Sequence, residues 1–185
     1  MDLRGSKTER NLLKTFAGES RANTKYTIYS EIAIQEELLW IAEIFKETAH
    51  NELAHAREVY RRYLELAKDT KSNLLDAIGG ETEEARSLYK EFEKDAREEG
   101  FDRVADFYKE LREVEASHQK RYTELYNQLD SNSFFEVDGD KLWKCMNCGY
   151  IHEGSEAPRV CPLCKYPQGY FKLYCDPLSE KEYKD

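Results

Sequence analysis

The pattern Glu-x-x-His occurs in two similar stretches of this chain, Glu52-Leu-Ala-His55 and Glu115-Ala-Ser-His118, and each follows a Gly-Glu pair, Gly18-Glu19 and Gly80-Glu81. A glutamate and a histidine three residues apart lie on one side of a helix, so both can face one metal ion from a single rigid element. Glu19 and Glu52 are 33 residues apart, and Glu81 and Glu115 are 34 apart. The flanks agree: Ala17-Gly18-Glu19-Ser20 matches Gly79-Gly80-Glu81-Thr82, with Tyr26 and Tyr89 two turns further on. Helix pairs over 1–67 and 70–131 are therefore expected to be diverged copies of one unit. Four carboxylates and two imidazoles inside a four-helix bundle suit two iron or manganese ions, which implies redox chemistry.

A third Glu-x-x-His, Glu47-Thr-Ala-His50, is a decoy. His50 precedes His55 by five residues, about 140° of helix rotation, which turns it away from the face carrying Glu52 and His55. Both chosen pairs sit in apolar stripes, Phe45, Thr48, Val59 and Leu66 around the first and Val104, Tyr108, Leu111, Tyr122 and Leu125 around the second. Ionised side chains on such a face are costly unless a metal neutralises them.

At 185 residues, with 40% hydrophobic and 35% charged content, the chain supports one bundle-sized core and a small appendage. It shows neither an apolar run of membrane-spanning length nor a signal-peptide pattern at Met1-Asp2-Leu3-Arg4-Gly5, so the expected location is cytoplasmic, with no membrane partner. A net charge of -9 argues against nucleic-acid binding.

Four long helices are predicted. The first opens at the capping box Ser6-Lys-Thr-Glu9 and runs to about Gln35; the second ends near Lys68. Asp69 or Thr70 caps the third, Gly100 marks its end, and the fourth runs from about Asp102 to Asp130. No Gly or Pro marks the first turn, placed near Glu36-Glu37. If a two-fold axis relates the halves, helices two and three run parallel, and the link between them must cross roughly 35 to 40 Å, eleven or twelve extended residues. His55 and Glu81 are only 26 apart, with about six non-helical residues around Lys68 to Asn73. A domain-swapped dimer and helices of unequal length both account for this.

After Asp130, residues 133–142 read as a linker. Then come Cys145-Met-Asn-Cys148 and Cys161-Pro-Leu-Cys164, two knuckles whose four thiolates complete a tetrahedral site for iron or zinc. Trp143, Tyr150, Tyr166, Tyr170 and Phe171 are candidates for a small aromatic core, and the neighbouring redox pair favours iron. Cys175 is left over as a structural or idle thiol. The domains expected are a bundle over 1–132, the linker, a metal-binding domain over 143–178 and a tail over 179–185.

In this combination the chain resembles the rubrerythrins over nearly its whole length. The resemblance is carried by Phe16-Ala-Gly-Glu19-Ser20, Glu52-x-x-His55, Gly80-Glu81-x-x-Glu84, Ala96-Arg-Glu-Glu-Gly100, Glu115-x-x-His118 and Trp143-x-Cys-x-x-Cys-Gly-Tyr150. It implies a mainly α, ferritin-like di-iron bundle with a rubredoxin-like C-terminal domain, a dimer, and a peroxidase that reduces hydrogen peroxide to water in defence against oxidative stress. It further implies Glu52 and Glu115 as bridging ligands, Glu19 and Glu81 as terminal ligands and His118 as a fixed imidazole. Glu84 and His55 would exchange at the first iron, and Tyr26 and Tyr89 would support the carboxylates. Glu84 has no counterpart in the first half, where Ala22 stands. One further iron, or zinc, would occupy Cys145, Cys148, Cys161 and Cys164. The implied electron donor is a rubredoxin or an NADH-dependent reductase.

Lys165 departs from the glycine common after the second knuckle of rubredoxin-type sites, which puts the potential of that centre in doubt. Two other readings use the same residues: a ferritin-like ferrous iron oxidase or oxygen reductase, and a non-enzymatic helical module with a zinc ribbon.

Overall fold

The Ser6 hydroxyl accepts the N–H of Glu9 at 3.0 Å and starts α1 (Lys7–Gln35); the Glu9 carboxylate answers by accepting the N–H of Gly5, one residue before the position a capping box uses. In the computed structural model, which describes residues 2–174, the chain divides into two units, residues 1–69 and 70–185. Cys175 and the expected tail lie outside the described residues.

The first unit is a hairpin of α1 against α2 (Leu39–Glu58), the latter prolonged by a π turn, Val59–Tyr63. This second rod ends at Tyr63, earlier than the expected Lys68. In the second unit α3 (Thr70–Glu83), a π turn (Glu84–Leu88) and α4 (Tyr89–Glu98) form one rod, which packs against α5 (Asp102–Asp130). The non-helical link is thus Leu64 to Asp69, several residues before the stretch read from the sequence. The mainly helical class with a small C-terminal metal module agrees with the sequence. No helix among the described residues is long and apolar enough to cross a membrane.

Both hairpins turn in the same way. Leu38 donates to the Ala33 carbonyl and Glu37 to that of Ile34; Phe101 and Gly100 repeat this with Ala96 and Arg97. This helix stop requires a left-handed residue, supplied by Gly100 at φ +82° and by Glu37 at φ +60°. The absence of a turn glycine at the first corner is therefore a substitution within a geometry that the chain uses twice. Alanines let the helices approach closely: Ala33 and Ala42 in one hairpin, and their equivalents 63 residues on, Ala96 and Ala105, in the other, are all buried.

Residues 136–142, expected as linker, are instead the start of β1 (Glu136–Cys145). It is the central strand of an antiparallel sheet of order β2-β1-β3, with β2 (Ile151–Glu156) and β3 (Phe171–Leu173). Trp143, Cys145, Ala157, Cys161 and Phe171 form its core, and the Trp143 indole donates to the Gly154 carbonyl at 3.0 Å. Tyr166 and Tyr170 stay partly exposed, in edge-to-face contact at 4.6 Å.

Ala105 has no exposed surface. Ala105→Leu is expected to force the second hairpin apart and cost about 1–3 kcal/mol, read as a lower denaturant midpoint for helical ellipticity.

Candidate metal centres

Each hairpin brings together one set of ligands. In the first, Glu19 of α1 meets Glu52 and His55 of α2; in the second, Glu81 of α3 meets Glu115 and His118 of α5, and within each set the candidate ligand atoms lie within 4.8 Å of one another. The geometry repeats: His55 Nδ1 is 3.1 Å from Glu52 Oε2 and 3.7 Å from Glu19 Oε2, while His118 Nδ1 is 2.8 Å from Glu115 Oε2 and 3.5 Å from Glu81 Oε2. His50 and His55 are both exposed, and what sets His55 apart is its approach to Glu52 and Glu19. Behind each set stands an aromatic triad, Tyr26, Tyr29 and Phe45 in one hairpin and Tyr89, Phe92 and Tyr108 in the other. Tyr26 and Tyr89 thus pack within these triads, and Tyr89 is also near enough to Glu84 and Glu115 to feel their charge.

The halves differ by one residue. A shift of 62 carries Glu19 onto Glu81, but a shift of 63 carries Tyr26, Glu52 and His55 onto Tyr89, Glu115 and His118. The extra residue is accommodated by the π turn Glu84–Leu88, in which the Tyr89 N–H bonds the Glu84 carbonyl five residues back. Helical spacing alone does not reveal this turn; the change of shift within the repeat does. Glu84 is half-buried at the head of the turn, outside the tight cluster, but near enough for its charge to act on both Glu81 and Tyr89.

The electrostatics of these groups fit a bound cation. Glu19 is pushed above the ordinary carboxylate range, first because it shares a hydrogen bond with Glu52 and then by burial, whereas Glu52 is lowered by accepting from Glu19 and His55. The two carboxylates thus oppose each other's ionisation. Glu81 is raised chiefly by burial and then by Glu115, and its buried Oε2 has no hydrogen-bond partner. Burial, followed by the charges of Glu84 and Glu115, also raises Tyr89. Divalent metal ions neutralise these carboxylates and give the orphaned oxygen a ligand role.

The cysteine site is built from two copies of one knuckle, sixteen residues apart. Gly149 donates to the Cys145 carbonyl as Lys165 does to that of Cys161, and Cys145 and Cys161 donate to the carbonyls of Tyr150 and Tyr166. Cys145 Sγ lies 3.7 Å from Cys164 Sγ and Cys148 Sγ lies 3.6 Å from Cys161 Sγ. A tetrahedron with metal–sulfur bonds of about 2.3 Å has edges of about 3.8 Å, so the spacing suits iron or zinc. The Tyr150 N–H favours the Cys148 thiolate, but burial and the other three sulfurs outweigh it and raise that thiol to about 12. Cys164 is lowered to about 6, chiefly by the Asn147 side chain, with the Tyr166 N–H assisting after its burial is offset. Four sulfurs this close ionise together only around a cation.

Lys165 keeps the knuckle geometry: it adopts φ +62° where Gly149 has φ +79°. The departure read from the sequence is therefore met by a strained lysine, with the fold of the knuckle intact. Lys165→Gly is expected to relieve that strain and raise the stability of the module by about 0.5–1 kcal/mol, measured as a higher denaturant midpoint for bleaching of the thiolate–iron absorbance.

Comparison with known proteins agrees with both centres. Residues 10–72 and 72–142 each match the family model described as "Rubrerythrin", and residues 143–172 match "Rubrerythrin, rubredoxin-like domain". Rubrerythrin-1 of Clostridium acetobutylicum is 43% identical, the alignment covering 92% of this chain and 96% of that protein. The rubrerythrin of Clostridium perfringens is 40% identical, over 93% and 96%. A solved nigerythrin structure in a mixed-valence state is 31% identical over 93% of this chain and 91% of that one, with a TM-score of 0.35. The chain belongs to the rubrerythrin family, proteins with a di-iron site and a rubredoxin-like iron site of four cysteines.

Proposed function

We propose that this chain is a non-haem di-iron peroxidase that reduces hydrogen peroxide to water in defence against oxidative stress. The observation that carries the reading is the unequal pair of half-sites: Glu84 acts on Glu81 from just outside the cluster of Glu81, Glu115 and His118, while Ala22 stands in its place in the first half. An extra carboxylate at one position gives that position two alternative ligands, Glu84 and His55, as the oxidation state changes. Glu52 and Glu115 would bridge, with Glu19, Glu81 and His118 as terminal ligands, and Cys145, Cys148, Cys161 and Cys164 would hold the mononuclear iron. When bound, the iron pair supplies the two electrons that, with two protons, split one peroxide O–O bond to two waters, and the sulfur-ligated iron replaces those electrons singly. The Tyr89 hydroxyl, held in its protonated form by burial and by the charges of Glu84 and Glu115, is the group that keeps a proton beside the substrate. An external rubredoxin or an NADH-linked reductase completes the cycle.

We further infer that the complete site forms between two copies. Leu64 to Asp69 provide seven Cα steps between the second and third rods, reaching about 25 Å at most. With the rods parallel and the ligands level, Tyr63 lies about 12 Å beyond His55 and Thr70 about 17 Å before Glu81, so the link would have to span about 30 Å. The hairpin of the first unit also leaves Ile28, Ile32, Ile41, Ile44 and Leu53 between 42% and 47% exposed, an apolar face suited to packing against a second hairpin.

Two measurements test this. Anaerobically reduced protein given stoichiometric peroxide should regain its ferric–thiolate colour much faster than with oxygen, and Glu84→Ala should slow that return by about 10- to 100-fold. Faster oxidation by oxygen would favour the ferrous oxidase reading. Co-expressed Glu52→Ala and Glu115→Ala chains should recover one intact di-iron site per heterodimer if hairpins are exchanged; a site made within one chain gives no recovery.

A further inference from the structure

The two copies of the hairpin brace their ligand-bearing helices in opposite directions. In the first, Asn23 Nδ2 on α1 donates to the Ala49 carbonyl on α2 at 2.7 Å. The equivalent positions in the second are Ala85 and Arg112, and there the donor is on the other helix: Arg112 Nε on α5 donates to the Ala85 carbonyl at 3.1 Å. The same guanidinium donates through Nη1 to Glu93 Oε2 at 2.8 Å, on α4 beyond the π turn. Arg112 stands one turn before Glu115 and is only partly exposed.

The reversal coincides with the inserted residue. Because the Tyr89 N–H bonds Glu84 O, it passes over the Ala85 carbonyl that it would serve in an α-helix. The freed acceptor is the one Arg112 takes. Reversion to regular helix would shift one side of the turn by a residue, rotating Glu84 relative to Tyr89 by about 100°. We propose that Arg112 is a positioning residue, a two-headed clamp from the Ala85 carbonyl to Glu93 that holds the π turn in the register presenting Glu84 beside Glu81 and Glu115. The first hairpin has neither the inserted residue nor the clamp. A planar fork with donors in fixed directions suits this role better than a single ammonium.

The proposal rests on the reading of Glu84 as a metal ligand, so Arg112→Ala, Arg112→Lys, Glu84→Ala and Asn23→Ala are compared in the full-length, iron-loaded protein. Loss of a charge-assisted bond at the turn is expected to speed amide hydrogen exchange in 84–90 by about tenfold or more in Arg112→Ala, without change around Glu19 and Glu52. The diferric absorption spectrum should shift toward that of Glu84→Ala, and Arg112→Lys should restore it only in part. Asn23→Ala should lower the thermal midpoint and leave the exchange of 84–90 and the spectrum unaltered. If Arg112→Ala behaves like Asn23→Ala, the clamp is overturned. If Glu84→Ala leaves the spectrum unchanged, the ligand reading of Glu84 falls; the exchange of 84–90 in Arg112→Ala then still decides whether the clamp exists.

Discussion

Carboxylates crowded on an apolar helix face are the constraint on which the rest of this structure depends. Glu19 against Glu52 and Glu81 against Glu115 cannot all stay ionised at contact distance without a counter-charge, and the buried Glu81 Oε2 accepts no hydrogen bond. The small residues around them serve that arrangement. Alanines at the helix crossings bring the rods close enough for side chains from both to meet at one point, and aromatic triads fill the space behind. Stability given up at the charged positions is thus tied to binding metal.

Duplication supplies the frame, and one inserted residue makes its two copies differ. Two identical hairpins would offer two equivalent positions, suited to holding two ions but giving neither a choice of ligand. The π turn breaks the equivalence on one side only, and Glu84 at its head stands where the other copy has Ala22. Such a turn is less stable than regular helix, so the packing around it must hold it in place. Arg112 spans it, and a contact at the periphery of the site is thereby linked to the ligand set.

The C-terminal module is a second duplication at smaller scale. Its knuckles superpose in hydrogen bonding although Gly149 and Lys165 differ in chemistry, because the left-handed conformation at that position is imposed by the sulfur geometry and paid for locally by the lysine. The metal and the small core of Trp143 and Phe171 compensate for the little apolar area such a sheet buries.

The sequence by itself marked two matched sets of candidate carboxylate and imidazole ligands, the helical class and the four-cysteine cluster, because metal chemistry and helical period leave a residue-level signature at short range. It also bounded the hairpin corners, although Glu37 in a left-handed conformation hid the first of them. Only the tertiary structure decided that the second rod stops at Tyr63, that residues 136–142 belong to a strand, that the inserted residue opens a π turn, and that Arg112 crosses from α5 to brace it. Those outcomes depend on which carbonyls and side chains meet across helices. Such contacts between residues far apart in the chain, 27 positions in the case of Arg112 and Ala85, leave no periodic mark on the sequence.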